Sequence, residues 1–242
     1  IKGGCLIMKK VISIICLVAM LVCGCENGND KDKDTEKLLR QPYNISLVAE
    51  IANNNPVFDA NIDELSNLAA AAGSTYSCIL ADSTPNMIIE GTIPDFSDKN
   101  YTKDMMERAR TGVAADIIGK IEAAKPDSPD VDLAAATSMA VRKLHSDEVK
   151  NRNNLLVYYG SGISSTGLID MIKVPVCEMD VESSVKTIAD SMDVDMTGIQ
   201  VIWYCCGDIA GSEQKALSDN EKKTLKIFYQ KLFEKLGAES IS

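Results

Sequence analysis

Two strand-like runs, Thr75–Ala81 and Met87–Ile93, are separated by little more than the turn residues Ser83-Thr84-Pro85-Asn86, and that short link dictates how they pair. A parallel partner needs a crossover of about a dozen residues or more, so these two runs pair antiparallel. Everywhere else strands and helices alternate. Asn44–Ile51 is rich in aliphatic and β-branched residues and reads as a first strand. Ile62, Leu65, Leu68, Ala69 and Ala72 then recur at helical spacing up to Gly73, which suits the end of a helix. After the hairpin, Asn100 is placed to cap a helix carrying Met105, Ala109, Val113, Ile117 and Ile121. Asp130 is placed to cap the next, carrying Leu133, Ala136, Ala140, Val141 and Leu144. Asn154–Tyr159 is a fourth strand, Val181–Met192 a helix and Ile199–Tyr204 a fifth strand. Ser218-Asp219-Asn220-Glu221 forms a capping box that opens a last helix, with Leu225, Phe228, Leu232 and Leu236 inward.

Such alternation specifies an α/β fold: a mainly parallel five-stranded sheet with one antiparallel edge strand and helices on both faces. The expected strand order is 3-2-1-4-5. The chain reverses direction between strands 1 and 4, and the crevice at their carboxyl ends is the default ligand position in such sheets.

The N-terminus carries an address. Residues 1–7 precede the better start, Met8, and are set aside. Met8-Lys9-Lys10 is a basic n-region, and Val11–Val22 is almost wholly apolar. An apolar run of roughly 7–15 residues after such a start is a secretory h-region, too short to span a bilayer. Val22-Cys23-Gly24-Cys25 then matches a lipobox, whose last cysteine is lipidated and becomes the new N-terminus. The expected partition is residues 1–24 as upstream residues and signal, 25–42 as a lipid-anchored disordered tether, and 43–242 as the domain. Glu26–Arg40 is too polar to bury a core. At ~5–6 Å × √n its reach is roughly 20 Å. The expected location is the extracytoplasmic face of the cell membrane, held in the bilayer through acylated Cys25.

Without Lys2, Lys9 and Lys10, 22 basic residues face 35 acidic ones, a balance of −13. That field repels nucleic acid, and no basic, aromatic-studded cluster appears, so nucleic-acid binding is excluded. The domain holds Cys78, Cys177, Cys205 and Cys206 with no CxxC, and His145 is the sole histidine, so no zinc site is expected. The strand order puts Cys177 on the same rim as Cys205 and Cys206, which makes a disulfide between Cys177 and one of them the expected bridge.

The segment Leu155–Asp170 (LLVYYGSGISSTGLID) resembles a motif of divergent von Willebrand factor A-like domains, the kind that precede OmpA-type peptidoglycan-binding domains in bacterial envelope proteins. Those relatives carry an SGLSxTG-like loop after one strand, GLGD after a later strand, and a helix start reading LS. The counterparts here are Gly160–Gly167, Tyr204-Cys205-Cys206-Gly207-Asp208 and Leu217-Ser218. The resemblance spans about Asn44–Leu236 and implies the same α/β topology. Standard A-domains hold Mg²⁺ with a DxSxS sequence after the first strand. This chain has Glu50-Ile51-Ala52-Asn53-Asn54, or Asn53-Asn54-Asn55-Pro56, at that place, so no metal is expected. With no OmpA-type segment in the sequence, envelope attachment is expected to rest on Cys25.

The candidate ligand residues surround the strand 1/strand 4 crevice: Asn53, Asn54 and Asn55 after the first strand, Ser161, Ser164, Ser165 and Thr166 in the Gly160–Gly167 loop, and Asp82 and Asp208 at neighbouring strand ends. Hydroxyls and loop N–H groups of this kind suit an anion or a sugar. The loop is not a Walker A motif, since Leu168 stands where lysine meets phosphate, and Ser165 replaces the third glycine of a dinucleotide fingerprint. There is no G-x-S-x-G elbow, and His145 reads as a helix-end residue, so a serine hydrolase is not expected. Trp203 reads as core. The function expected is a non-catalytic binding or adaptor domain for an unidentified envelope protein, without cofactor. The alternative is capture of a small anion or glycan in the crevice, with a metal-dependent hydrolase using Asp82 and Asp208 last.

Overall fold

The computed structural model describes residues 42–51, 73–93, 102–125, 128–146, 153–209 and 215–242. Cys25, the tether, Asn53–Asn55, Asn100 and the helix expected before Gly73 lie outside the described residues. Among the described residues there are eight strands: β1 Tyr43–Ala49, β2 Thr75–Leu80, β3 Asn86–Thr92, β4 Asn153–Tyr159, β5 Ser165–Thr166, β6 Ile169–Asp170, β7 Ile199–Tyr204 and β8 Ser240–Ile241. The helices are α1 Lys103–Ala123, α2 Leu133–Leu144, α3 Val181–Ser191 and α4 Asp219–Lys235.

The main sheet runs β3-β2-β1-β4-β7-β8. β2 and β3 pair antiparallel across the short turn, as the sequence requires, and every other pairing in the sheet is parallel. The expected order holds, but the sheet has six strands, not five. β8 is two residues long, too short for any alternation of apolar and polar residues. It is seated by the backbone, with Ser242 N–H donating to the Val201 carbonyl at 3.0 Å.

Burial follows from the parallel order. The inner strands β1 and β4 are covered on both faces, so most of their residues are buried rather than every second one. Alternate side chains serve two separate cores. Ile45, Leu47, Leu155 and Val157 pack with Ala114, Ile117 and Ile121 of α1. Val48, Leu156 and Tyr158 pack on the other face with α2, α3 and α4, among them Leu133, Val185, Phe228 and Leu232.

Helix starts follow cap chemistry. The Ser218–Glu221 capping box forms as read, satisfying N–H groups from both sides. Two other caps sit two residues later than expected. Thr102 caps α1, its hydroxyl accepting from Met105 N–H. Asp132, not Asp130, caps α2 by accepting from Ala135 N–H at 2.9 Å. Asp130 instead accepts from Ser128 and Ser165.

Leu232→Ala is expected to lower the unfolding free energy by about 2–5 kcal/mol, because Leu232 is wholly buried on α4 and its loss leaves a cavity. Met105→Ala, on an exposed stretch of α1, is expected to change it by less than about 0.5 kcal/mol. Urea midpoints compare the two; equal shifts would contradict the packing described.

Candidate functional site

The carboxyl ends of β1, β4 and β7 lie side by side, with Ala49 level with Tyr159 and Tyr159 level with Tyr204. The next residues are therefore thrown together on one rim: Glu50, the Gly160 loop and Cys205. Glu50 N–H donates to the Tyr159 carbonyl at 3.0 Å, and Gly160 N–H donates to the Tyr204 carbonyl at 3.2 Å. The loop then folds directly over the Glu50 side chain. A Cβ on Gly160 would collide with that side chain, so only glycine fits there.

Glu50 is buried, and its carboxylate accepts from Gly162 N–H at 3.0 Å and from the Ser161 hydroxyl at 3.1 Å. Burial pushes its carboxyl up to about 7, against the opposing pull of the Gly162 and Ser161 hydrogen bonds. The loop's outer side is tied as firmly. Trp203 Nε1 donates to the Gly160 carbonyl at 2.9 Å, Tyr229 hydroxyl donates to the Gly162 carbonyl at 2.7 Å, and Gly207 N–H donates to the Ser161 carbonyl at 2.7 Å. Trp203 also stacks on Tyr158 with ring centroids 4.3 Å apart, which is the packing role read for it.

Two of the expected ligand hydroxyls, those of Ser161 and Ser164, point into the protein. Ser161 and Ser164 are fully buried. Ser164 hydroxyl donates to the Val131 carbonyl at 2.9 Å and accepts from Leu133 N–H at 3.2 Å. Ser165 accepts from Val131 N–H at 2.8 Å. These two serines thus fasten the loop to the start of α2 and satisfy N–H groups there. Thr166 enters the two-residue strand β5, which turns through Gly167 and Leu168 into β6. Gly167 has φ +77°, and a Cβ there would collide with the Asp132 carboxylate. A side chain at this position is disfavoured both by backbone and by space.

Asp82 and Asp208 are not brought together. Asp82 is buried after β2 and accepts from Thr84 N–H at 2.9 Å. Asp208 is exposed after β7 and pairs with Lys222 at 2.9 Å. Three strand spacings of ~4.8 Å, on the order of 14 Å, separate their strands. His145 closes α2 and its Nε2 contacts the Asp195 carbonyl at 2.9 Å, away from the rim. Among the described residues no group of three or more His, Cys, Asp or Glu side chains is arranged to hold a metal.

The expected disulfide is not formed: none of the four described cysteines is bridged. Cys177 is exposed on a short 3₁₀ turn, Val176–Glu178, that precedes α3. Cys205 and Cys206 turn to opposite faces of the sheet, Cys205 toward the α1 side and Cys206 toward the α4 side. Burial pushes the Cys206 thiol up to about 12, leaving it protonated and unreactive at neutral pH.

Glu50 is the residue that sequence reasoning missed. Its signal was a lone carboxylate directly after the apolar run Leu47-Val48-Ala49 of the central strand. Nothing in the sequence alone says that a Gly-Ser-Gly turn more than a hundred residues later supplies its donors.

No family profile and no curated protein matches this chain. Solved structures similar to it include an aerotolerance-related membrane protein from Bacteroides fragilis, at 10% identity and a TM-score of 0.41, covering 83% of this chain and 90% of that one. A conserved hypothetical protein, BatB, from Bacteroides thetaiotaomicron is similar at 10% identity and a TM-score of 0.40, with the same coverage. A von Willebrand factor type A protein from Catenulispora acidiphila is similar at 7% identity and a TM-score of 0.30, covering 80% of this chain and 43% of that one. Likeness this loose assigns neither family nor activity.

The Glu50 environment makes stability fall with rising pH. Its folded pKa of about 7 lies above the ordinary 4.5, so between these values the folded state holds a proton the unfolded chain has lost. The stabilisation is complete below about 4.5 and disappears as pH rises through about 7. Its span is roughly 3 kcal/mol at ~1.4 kcal/mol per pKa unit. Glu50→Gln keeps an acceptor for Gly162 without the charge and is expected to flatten this part of the profile. Identical profiles for both proteins, by urea unfolding from pH 5 to 8, would refute the assignment.

Proposed function

We propose that this chain is a lipid-anchored envelope protein whose A-like α/β domain is a non-catalytic adaptor for another protein. The anchor reading rests on Met8–Cys25. No helix among the described residues is long and apolar enough to cross a membrane. The sheet order, with its antiparallel edge hairpin, is the topology that the von Willebrand factor A-like resemblance implies.

One observation carries the adaptor reading: the loop that would be the ligand site turns Ser161 and Ser164 inward, and the segment that follows it presents apolar side chains to solvent. Ser161 and Ser164 have no exposed surface, whereas Leu168, Ile172 and Val174 are 49%, 65% and 45% exposed. Those three account for most of the large exposed hydrophobic residues described, and they fall within one short stretch. Exposed apolar side chains clustered beside a rigid loop favour protein contact over capture of an anion or sugar.

Detergent phase separation with Triton X-114 tests the anchor. The intact protein is expected in the detergent phase and Cys25→Ala in the aqueous phase; a Cys25→Ala protein that stays with detergent would rule the lipobox out. Crosslinking in intact envelopes followed by mass spectrometry tests the adaptor role, and recovery of no protein partner would count against it.

A further inference from the structure

A groove of about 590 Å³ opens beside this apolar stretch. Its floor is the outer face of α2, where Asp132, Ala135, Ser138, Met139 and Arg142 follow one another at helical spacing. The hairpin tip, Gly167 and Leu168, and Pro85 from the β2–β3 turn complete its lining. From Asp132 to Arg142 the floor runs ~15 Å at 1.5 Å per residue.

We propose that this groove receives an amphipathic helix of a partner protein, its apolar stripe on the Ala135–Met139 floor and a flanking carboxylate on Arg142. The proposal rests on the adaptor reading and names the chemistry of the partner.

Three features select this occupant. Ala135 and Ser138 are small, so a second helix axis can approach α2 to the 8–10 Å typical of packed helices. Met139 on the floor and Leu168 at the hairpin tip add apolar surface, so three apolar positions at i, i+4 and i+7 of a docked helix, about 10 Å of its length, find apolar contact. The two charges at the ends of the groove are unequal in what they leave open. The Asp132 carboxylate is engaged by Ala135 N–H and lies against Gly167. Arg142 is exposed and spends only Nε, on the Ser138 carbonyl at 3.1 Å. Its two Nη groups meet no carboxylate among the described residues, and a guanidinium fork is matched by a carboxylate on the partner. A strand-like peptide fits less well, because the groove is floored by a helix whose backbone groups are already bonded.

The test is selection of a displayed library of 14-residue amphipathic helices against the whole protein. The enriched helices should share an apolar i, i+4, i+7 stripe with Asp or Glu at one flank. Their affinity should fall at least tenfold for Arg142→Glu and for Ala135→Arg, both at exposed positions, with thermal melting unchanged. Changing the flanking acid of the peptide to lysine should restore most of the binding to Arg142→Glu. Enrichment of nothing, or of helices that bind both variants as well as the parent, would overturn the proposal. So would concentration-dependent dimerisation abolished by Ala135→Arg, which gives the groove to a second copy. Binding to phosphatidylcholine–phosphatidylglycerol vesicles that is lost in Ala135→Arg gives it to lipid instead and would also overturn it. If envelope crosslinking recovers a partner but a photocrosslinker at Leu168 does not reach it, the groove assignment fails and the adaptor reading stands.

Discussion

Burying a carboxylate costs several kcal/mol unless donors surround it, and the donors Glu50 finds are neutral ones from a single loop. That requirement holds the carboxyl rim together. Glu50 follows the central strand β1, so whatever satisfies it must sit over the middle of the sheet. The Gly160–Gly162 turn does so, and glycine at 160 is what lets the backbone lie on the Glu50 side chain. Once there, the turn becomes the meeting point of three elements. Trp203 of β7, Tyr229 of α4 and Gly207 of the loop after β7 each donate to one of its carbonyls. Loss of the carboxyl would leave buried Gly162 N–H and Ser161 hydroxyl short of an acceptor, so the cost would be felt across the rim.

The same economy decides what the loop can do. A hydroxyl that caps the start of a helix is unavailable to a ligand. Ser164 and Ser165 bind the backbone at Val131 and Leu133, which joins the loop to α2. The polar side of the loop is therefore structural, and its solvent side is the apolar hairpin edge and the segment after it. The proposed contact surface is therefore beside the crevice and not in it.

Much of this was legible in the sequence, for identifiable reasons. Five residues between two strand runs leave only a hairpin, and the strand order follows once the chain reverses after it. The capping box was legible because both its partners lie within one turn. Asp130 and Asp132 were not separable as caps, since the choice depends on Ser165, which claims Asp130 from another part of the chain. β8 was invisible because two residues carry no period. The loop was found by its glycines and hydroxyls, yet their direction was not, because inward and outward serines look alike in a sequence. Glu50 was hidden for the complementary reason: its partners are set by parallel pairing of β1 with β4, a long-range fact.

Rigidity links the buried carboxylate to the apolar groove. The hairpin tip that lines the groove and the floor, α2, are fastened through Ser164 and Ser165, and Gly167 lies against the Asp132 carboxylate. Neither closing nor widening is free: the first drives Gly167 into Asp132, and the second breaks hydrogen bonds that satisfy the start of α2. The proposed partner helix would therefore meet a surface already in its binding shape and spend little on ordering it. The area is small, with one basic anchor and few apolar side chains. Such contacts sit at the low end of interface sizes and belong to weak, exchanging complexes. Under the proposed anchoring, confinement to a membrane surface would raise the local concentration of both proteins, so the proposed tether would offset the weakness of a small groove.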